Sequence, residues 1–240
     1  MADQPSLSAI VGEVLGGIQE ERQKAVALHD WVRESVPFGF NKYFDAAKPE
    51  ETLACGRGHG NPKSRLMAAL FRAVGFDCYQ HFVVIPKKIL EETLPSNLYW
   101  MLPPEISHSF VEVRVEGWWC RIDSFILDTP LLQAGTARLR REGRQMGYGV
   151  RLGATNTWDG RGDAFSQFSE DLMIEDHGRV PDLEVYLQEG RYRNKAFGIS
   201  MNTVFRLMGT RRMGTINNNL DRIRRLGWVD MASGIKHRPG

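Results

Sequence analysis

Apolar and polar positions alternate along this chain with two different periods, and the changes of period mark its elements. Over residues 20–36, "EERQKAVALHDWVRESV", the apolar side chains fall at Ala25, Leu28, Trp31, Val32 and Val36. Spacings of three and four place them on one helical face, and Pro37 stops the helix. A loop with Gly39, Asn41 and Pro49 follows. The helical spacing returns at Leu66, Ala69, Leu70, Ala73 and Val74. Asn61 is a favourable N-cap, Pro62 suits the first helical position and Gly75 ends the run, which predicts a second helix between them. "CYQHFVVI", residues 78–85, has the β-branched and aromatic content of a strand.

A period of two governs "HSFVEVRVEGWWCRIDSF", residues 108–125. Glu116-Gly117 fits a two-residue hairpin turn, which sets Val115 opposite Trp118. In that register Val111, Val113 and Val115 share a core face with Trp118, Cys120 and Ile122. The other face carries His108, Phe110, Glu112 and Arg114 beside Trp119, Arg121 and Asp123, and it predicts a cross-strand ion pair between Glu112 and Arg121. Residues 86–107 form an insertion broken by Pro95, Pro103 and Pro104. Its Tyr99, Trp100 and Met101 could wall a cleft, or the segment could be a plain surface excursion. Residues 130–145 read as helix and 146–180 as a Gly-rich loop. Within that loop Trp158-Asp159-Gly160 and Asp176-His177-Gly178 have turn composition. Two more helices are expected near 200–208 and 216–226. Together these elements predict an α+β fold.

Charge divides the chain. The net charge is +2, yet residues 191–240 carry +9, which leaves the first 190 residues at −7. A body over 1–190 and a basic, partly helical extension over 191–240 are expected. The extension either docks on its own acidic body or meets an acidic protein partner. No nucleic-acid-binding motif accompanies the charge. No apolar run reaches the ~18 residues of a membrane span. The N-terminus lacks a secretory pattern, and Cys55, Cys78 and Cys120 are too few for a disulfide framework, so a cytoplasmic setting is expected.

The hairpin register gives the charge pattern a chemical meaning. His108 and Asp123 point to the same side as diagonal neighbours, roughly 7–8 Å apart at the backbone. An imidazole oriented by a carboxylate is the base half of a nucleophilic site. Gly58-His59-Gly60-Asn61-Pro62 opens the second helix, where free N–H groups favour a thiolate and can hold an oxyanion. The sulfur itself is missing from this Cys-His-Asp arrangement. Cys120 faces the core, Cys78 lies beyond the helix, Cys55 sits upstream in the loop, and Ser64 has no evident partner. A zinc site from Cys55, His59, Cys78 and His81 fails, because strand positions 78 and 81 face opposite ways.

The ordered set Trp31-Val32, Gly58-His59-Gly60, Leu70 through Phe76, His108-Ser109-Phe110-Val111-Glu112-Val113 and Gly117-Trp118 with Asp123 resembles the transglutaminase-like superfamily of papain-fold thiol enzymes. The likeness runs over 20–130. It implies a catalytic-position helix packed against an antiparallel sheet, with His108 as base and Asp123 as its orienting partner. It places the family's nucleophilic cysteine at position 60, which here is Gly60. The implied chemistry is acyl transfer from a peptide, amide or thioester donor, ending in hydrolysis or amide formation, with no cofactor and no metal. His59, Trp100 and Trp119 are the candidate substrate contacts. Intact helpers around a missing sulfur suggest an inactive variant whose nucleophile was removed; a natural non-catalytic binding module is the alternative.

Overall fold

Three helices precede the site and two long strands follow it, and a computed structural model describes residues 6–232 of this arrangement. In chain order the first elements are α1 (Leu7–Leu15), α2 (Glu21–Ser35), α3 (Pro49–Cys55) and α4 (Gly60–Val74). Next come β1 (Cys78–Pro86), α5 (Ser96–Met101), β2 (Glu105–Val115), β3 (Trp118–Ile122) and α6 (Thr129–Glu142). The remainder is β4 (Met146–Gly147), β5 (Val150–Arg151), β6 (Glu175–Val180), α7 (Leu183–Tyr186), β7 (Lys195–Ala196), β8 (Ile199–Ser200) and α8 (Met201–Ala232).

The main sheet is antiparallel with strand order β3-β2-β1-β6. Glu116 and Gly117 both have positive φ, 50° and 87°, the mirror-image turn that matches the twist of a hairpin. The turn fixes the register that the period-two pattern predicts, with Val115 opposite Trp118 and Glu112 opposite Arg121. α4 lies on the face built by Val111, Val113, Cys120 and Ile122, and contributes Leu66, Met67, Leu70 and Phe71 to the core. Each such buried side chain contributes about 2 kcal/mol of hydrophobic stabilisation.

Several expectations need correction. The catalytic-position helix starts at Gly60, with His59 rather than Asn61 in the N-cap place. Trp118 opens the edge strand and is 78% exposed, so it does not join the core. Glu112 and Arg121 face each other but do not pair. Glu112 binds His81 from β1 and Arg179 from β6, while Arg121 turns to Asp163 and Glu170. Two strands outside the hairpin supply the partners of Glu112, and the segment between β5 and β6 supplies those of Arg121. Asp176-His177-Gly178 is part of β6, not a turn, and the pairing of β1 with β6 shifts register at Phe82/Val83.

The two expected C-terminal helices join into α8, broken at Gly209 (φ 70°, ψ 171°). Met201, Phe205, Ile216, Leu220 and Ile223 of α8 share the main core. Arg224 reaches Asp128 at 2.7 Å, and Asp221 pairs with Arg57 at 2.9 Å. The basic Lys236 and Arg238 lie outside the described residues.

Candidate active site

Gly60 begins α4 where the chain leaves an extended His59 (φ −89°, ψ −167°). The first helical hydrogen bond runs from Lys63 N–H to His59 C=O, so the Gly60 and Asn61 amides precede it and Pro62 has none. A Cβ built on Gly60 would lie 3.1 Å from His108 Nδ1, 3.2 Å from its Cε1 and 3.4 Å from Gln167 Oε1. The His108 ring on β2 is thus aimed at the first atom that a side chain at 60 would have.

The opposite ring nitrogen, His108 Nε2, is 3.0 Å from Asp123 Oδ2. Asp123 follows β3 directly and is fully buried. Its carboxylate also accepts from the backbone N–H groups of Ser166, Gln167 and Phe168 and from Ser166 Oγ. A carboxylate held by this many donors cannot rotate freely, so it fixes the imidazole plane. Ser124, the next residue, accepts or donates at 2.7 Å to His29 Nε2, and His29 Nδ1 meets Asp30 at 2.8 Å. This second hydroxyl–imidazole–carboxylate line is structural, because Ser124 and His29 are wholly buried and no acyl donor can reach the hydroxyl. It braces the segment that carries Asp123.

A second imidazole flanks position 60. His59 Nε2 lies 2.8 Å from Asp45 Oδ1, and its Nδ1 is buried with no hydrogen-bond partner among the described residues. Asp45 follows Phe44, whose left-handed backbone (φ 52°) turns the loop inward. Burial alone would raise the Asp45 carboxyl, but hydrogen bonds from His59, Asn194 and Tyr192 hold it below the usual range. Asn61 Nδ2 also donates to Asp45, at 2.8 Å, and to Ser107 C=O at 3.0 Å, tying the helix entrance to β2.

These residues line a small cavity of about 20 Å³ that includes His59, Gly60, His108 and Gln167. Ile89, Leu90, Leu102 and Ile106 from the 86–107 segment form its apolar wall, so the insertion does border the site. The structure brings Gly60, His59, His108 and Asp123 together. It leaves Trp100 and Trp119 outside the cavity lining: Trp100 is 71% exposed and packs on Phe197, while Trp119 lies over Arg179 on the outer sheet face. Asp45, Gln167 and Asn194 are site neighbours that periodicity does not reveal. Only the match of acidic and amide side chains to unpaired ring nitrogens could have suggested them.

None of the native thiols replaces the missing one. Cys78 is buried and donates to Ala68 C=O, and burial pushes its thiol up to about 11. Burial also raises Cys120, and Cys55 sits exposed at the end of α3 with its thiol raised.

Residues 8–124 match the family model of the transglutaminase-like superfamily. The segment carrying Gly60, His108 and Asp123 therefore lies within the stretch that is similar to that superfamily, and it is α+β, with α4 packed against the antiparallel sheet. The chain is also similar to a solved structure described as a candidate cysteine protease from Cytophaga hutchinsonii, at 19% identity and a TM-score of 0.37. The match covers 48% of this chain and 35% of that one, so the chain spans about a third of that protein's length. No curated protein matches the chain. Among the described residues, no helix is long and apolar enough to cross a membrane.

Proposed function

We propose that residues 60, 108 and 123 form an acyl-transfer centre of the thiol-enzyme type, whose thioester route is closed in this chain because Gly60 supplies no sulfur. The observation that supports this reading most is the two-sided placement of His108. One ring nitrogen is 3.0 Å from a buried carboxylate, and the other would be 3.1 Å from a Cβ at position 60. With a cysteine there, His108 would take the thiol proton and return it to the leaving group. Asp123 would stabilise the imidazolium between those steps. The Gly60 and Asn61 amides at the start of α4 would face the oxyanion. The acyl donor is an amide, peptide or thioester, and the acceptor is water or an amine.

The test is Gly60→Cys mixed with p-nitrophenyl acetate, a general acyl donor. The expected result is a stoichiometric burst of p-nitrophenol with an acetyl group on residue 60 by peptide mass spectrometry. Acetyl groups on surface lysines, with none at residue 60, would overturn the reading.

A further inference from the structure

We infer that α5 is a lid over this site, latched by Trp100 on Phe197, and that the donors it admits carry an apolar acyl group. The inference rests on the acyl-transfer reading above and concerns how a donor reaches that centre.

The centre is shut as it stands. Its cavity of about 20 Å³ has room for one water and no acyl group. Every residue that lines it, from Phe44 and His59 to Gln167 and Asn194, is buried. An acyl donor therefore enters only if a wall moves, and most walls are tied. His59, Gly60 and Asn61 open α4, and Ile106, Ser107 and His108 lie in β2. Gln167 is fixed by Asp123 and by Gly149 C=O, and Asn194 by Asp45 and the Ser107 main chain. Ile89 C=O and Glu91 C=O accept from the Gly149 and Tyr148 N–H groups.

Leu102 is held differently. It caps α5, which is flanked by Pro95 and by Pro103-Pro104. Among the described residues, the main chain of 96–102 bonds only within its own segment and to the Lys87 ammonium. That ammonium donates to Tyr99 C=O at 3.2 Å and to Leu102 C=O at 2.8 Å. Packing of Leu98 and Leu102, not main-chain pairing with the sheet, holds α5 down. A segment attached in this way opens at lower cost than the strands around it.

The outer side of the lid meets a projecting hairpin. Phe197 and Gly198 form the two-residue turn between β7 and β8, with φ 50° and 80°. Such a turn favours Asn, Asp or Gly at its first position, and a bulky aromatic residue there is strained. Phe197 is also 80% exposed, so neither the turn nor the core accounts for it. Its ring meets that of Trp100, itself 71% exposed, with centroids 6.0 Å apart. Trp100 stands two residues before Leu102, and Phe197 three residues after Asn194, so the pair joins two sides of the cavity. Raising α5 frees the buried side chains of Leu98 and Leu102. Together with Ile89, Leu90 and Ile106 they make an apolar bed for an acyl group.

Access and chemistry are read separately in Gly60→Cys. Fluorescein maleimide, too large for the closed cavity, reports access to residue 60, with exposed Cys55 as the reference. The burst from p-nitrophenyl hexanoate reports acylation. Trp100→Ala and Phe197→Ala should each speed both by about 2–10-fold, the contribution of one aromatic pair, and the double substitution should do no more than one alone. Labelling of Cys55 should not change. Hexanoyl transfer to residue 60 should be about tenfold faster than acetyl transfer, each taken relative to hydrolysis of the same ester by hydroxide. Labelling of residue 60 unchanged by either substitution would overturn the lid, and the acyl-transfer centre would still stand if residue 60 is acylated in a His108-dependent way. Faster labelling with no acylation would leave the lid in place and remove the acyl-transfer reading. Fully additive effects of the two substitutions would overturn the latch, and equal hexanoyl and acetyl rates would overturn the apolar donor.

Discussion

At the residue scale, the site depends on how fully Asp123 is held. Its carboxylate meets His108, three backbone N–H groups and the Ser166 hydroxyl. An amide in its place would set N–H against N–H, and would favour the ring tautomer with its proton on the wrong nitrogen. Asp123→Asn in the Gly60→Cys background should slow acetylation of residue 60 by about 10²–10⁴-fold. Stopped-flow measurement of the p-nitrophenol burst would check this, and an unchanged burst rate would remove Asp123 from the machinery. The His108–Asp123 pair was legible in the sequence because a two-residue turn fixes every side chain of a hairpin. Gln167 and the amides of 166–168 were not legible. They belong to a Gly-rich loop with no period, and only tertiary packing brings them to Asp123. Asp45 was hidden for the same reason, in a loop whose inward course depends on the left-handed backbone of Phe44.

At the element scale, α4 carries the site at its first residue and an unusual burden three residues on. Lys63 is completely buried, and its Nζ donates to Ile126 C=O at 2.9 Å. Burial pushes its ammonium down to about 7, with Asp128 opposing that shift and Arg224 adding to it. The unfolded chain has an ordinary lysine titrating near ~10.4. Between these values the unfolded state binds more protons, so the penalty is full below about pH 7 and fades as pH rises toward the unfolded value. Lys63→Met should therefore stabilise the protein by about 1–4 kcal/mol, most strongly at acid pH. Thermal melts of both proteins across that range would test it, and a lower melting temperature for the variant at acid pH would contradict it. The amphipathic pattern predicted this helix well. It did not predict the buried lysine, since a charge at position 63 looks like the polar face of a helix that meets solvent.

At the scale of the whole molecule, the long helix α8 lies against the body rather than apart from it. Arg224 joins Asp128, which also accepts from the Phe38 N–H, and so links the C-terminal helix to the segments on both sides of the site. The charge imbalance was visible in the sequence, but the partners of these arginines were not, because residues far apart in the chain supply the carboxylates. The three native thiols are also spread through the molecule, and each is raised by burial. They give an internal reference for the central claim, that a nucleophile position is assembled around Gly60. The most direct measurement is the rate of iodoacetamide alkylation at each cysteine of Gly60→Cys near neutral pH, with and without His108→Ala. The account predicts that residue 60 reacts far faster than Cys55, Cys78 and Cys120, and that the advantage disappears without His108. A residue 60 thiol no faster than exposed Cys55, or indifferent to His108, would contradict it.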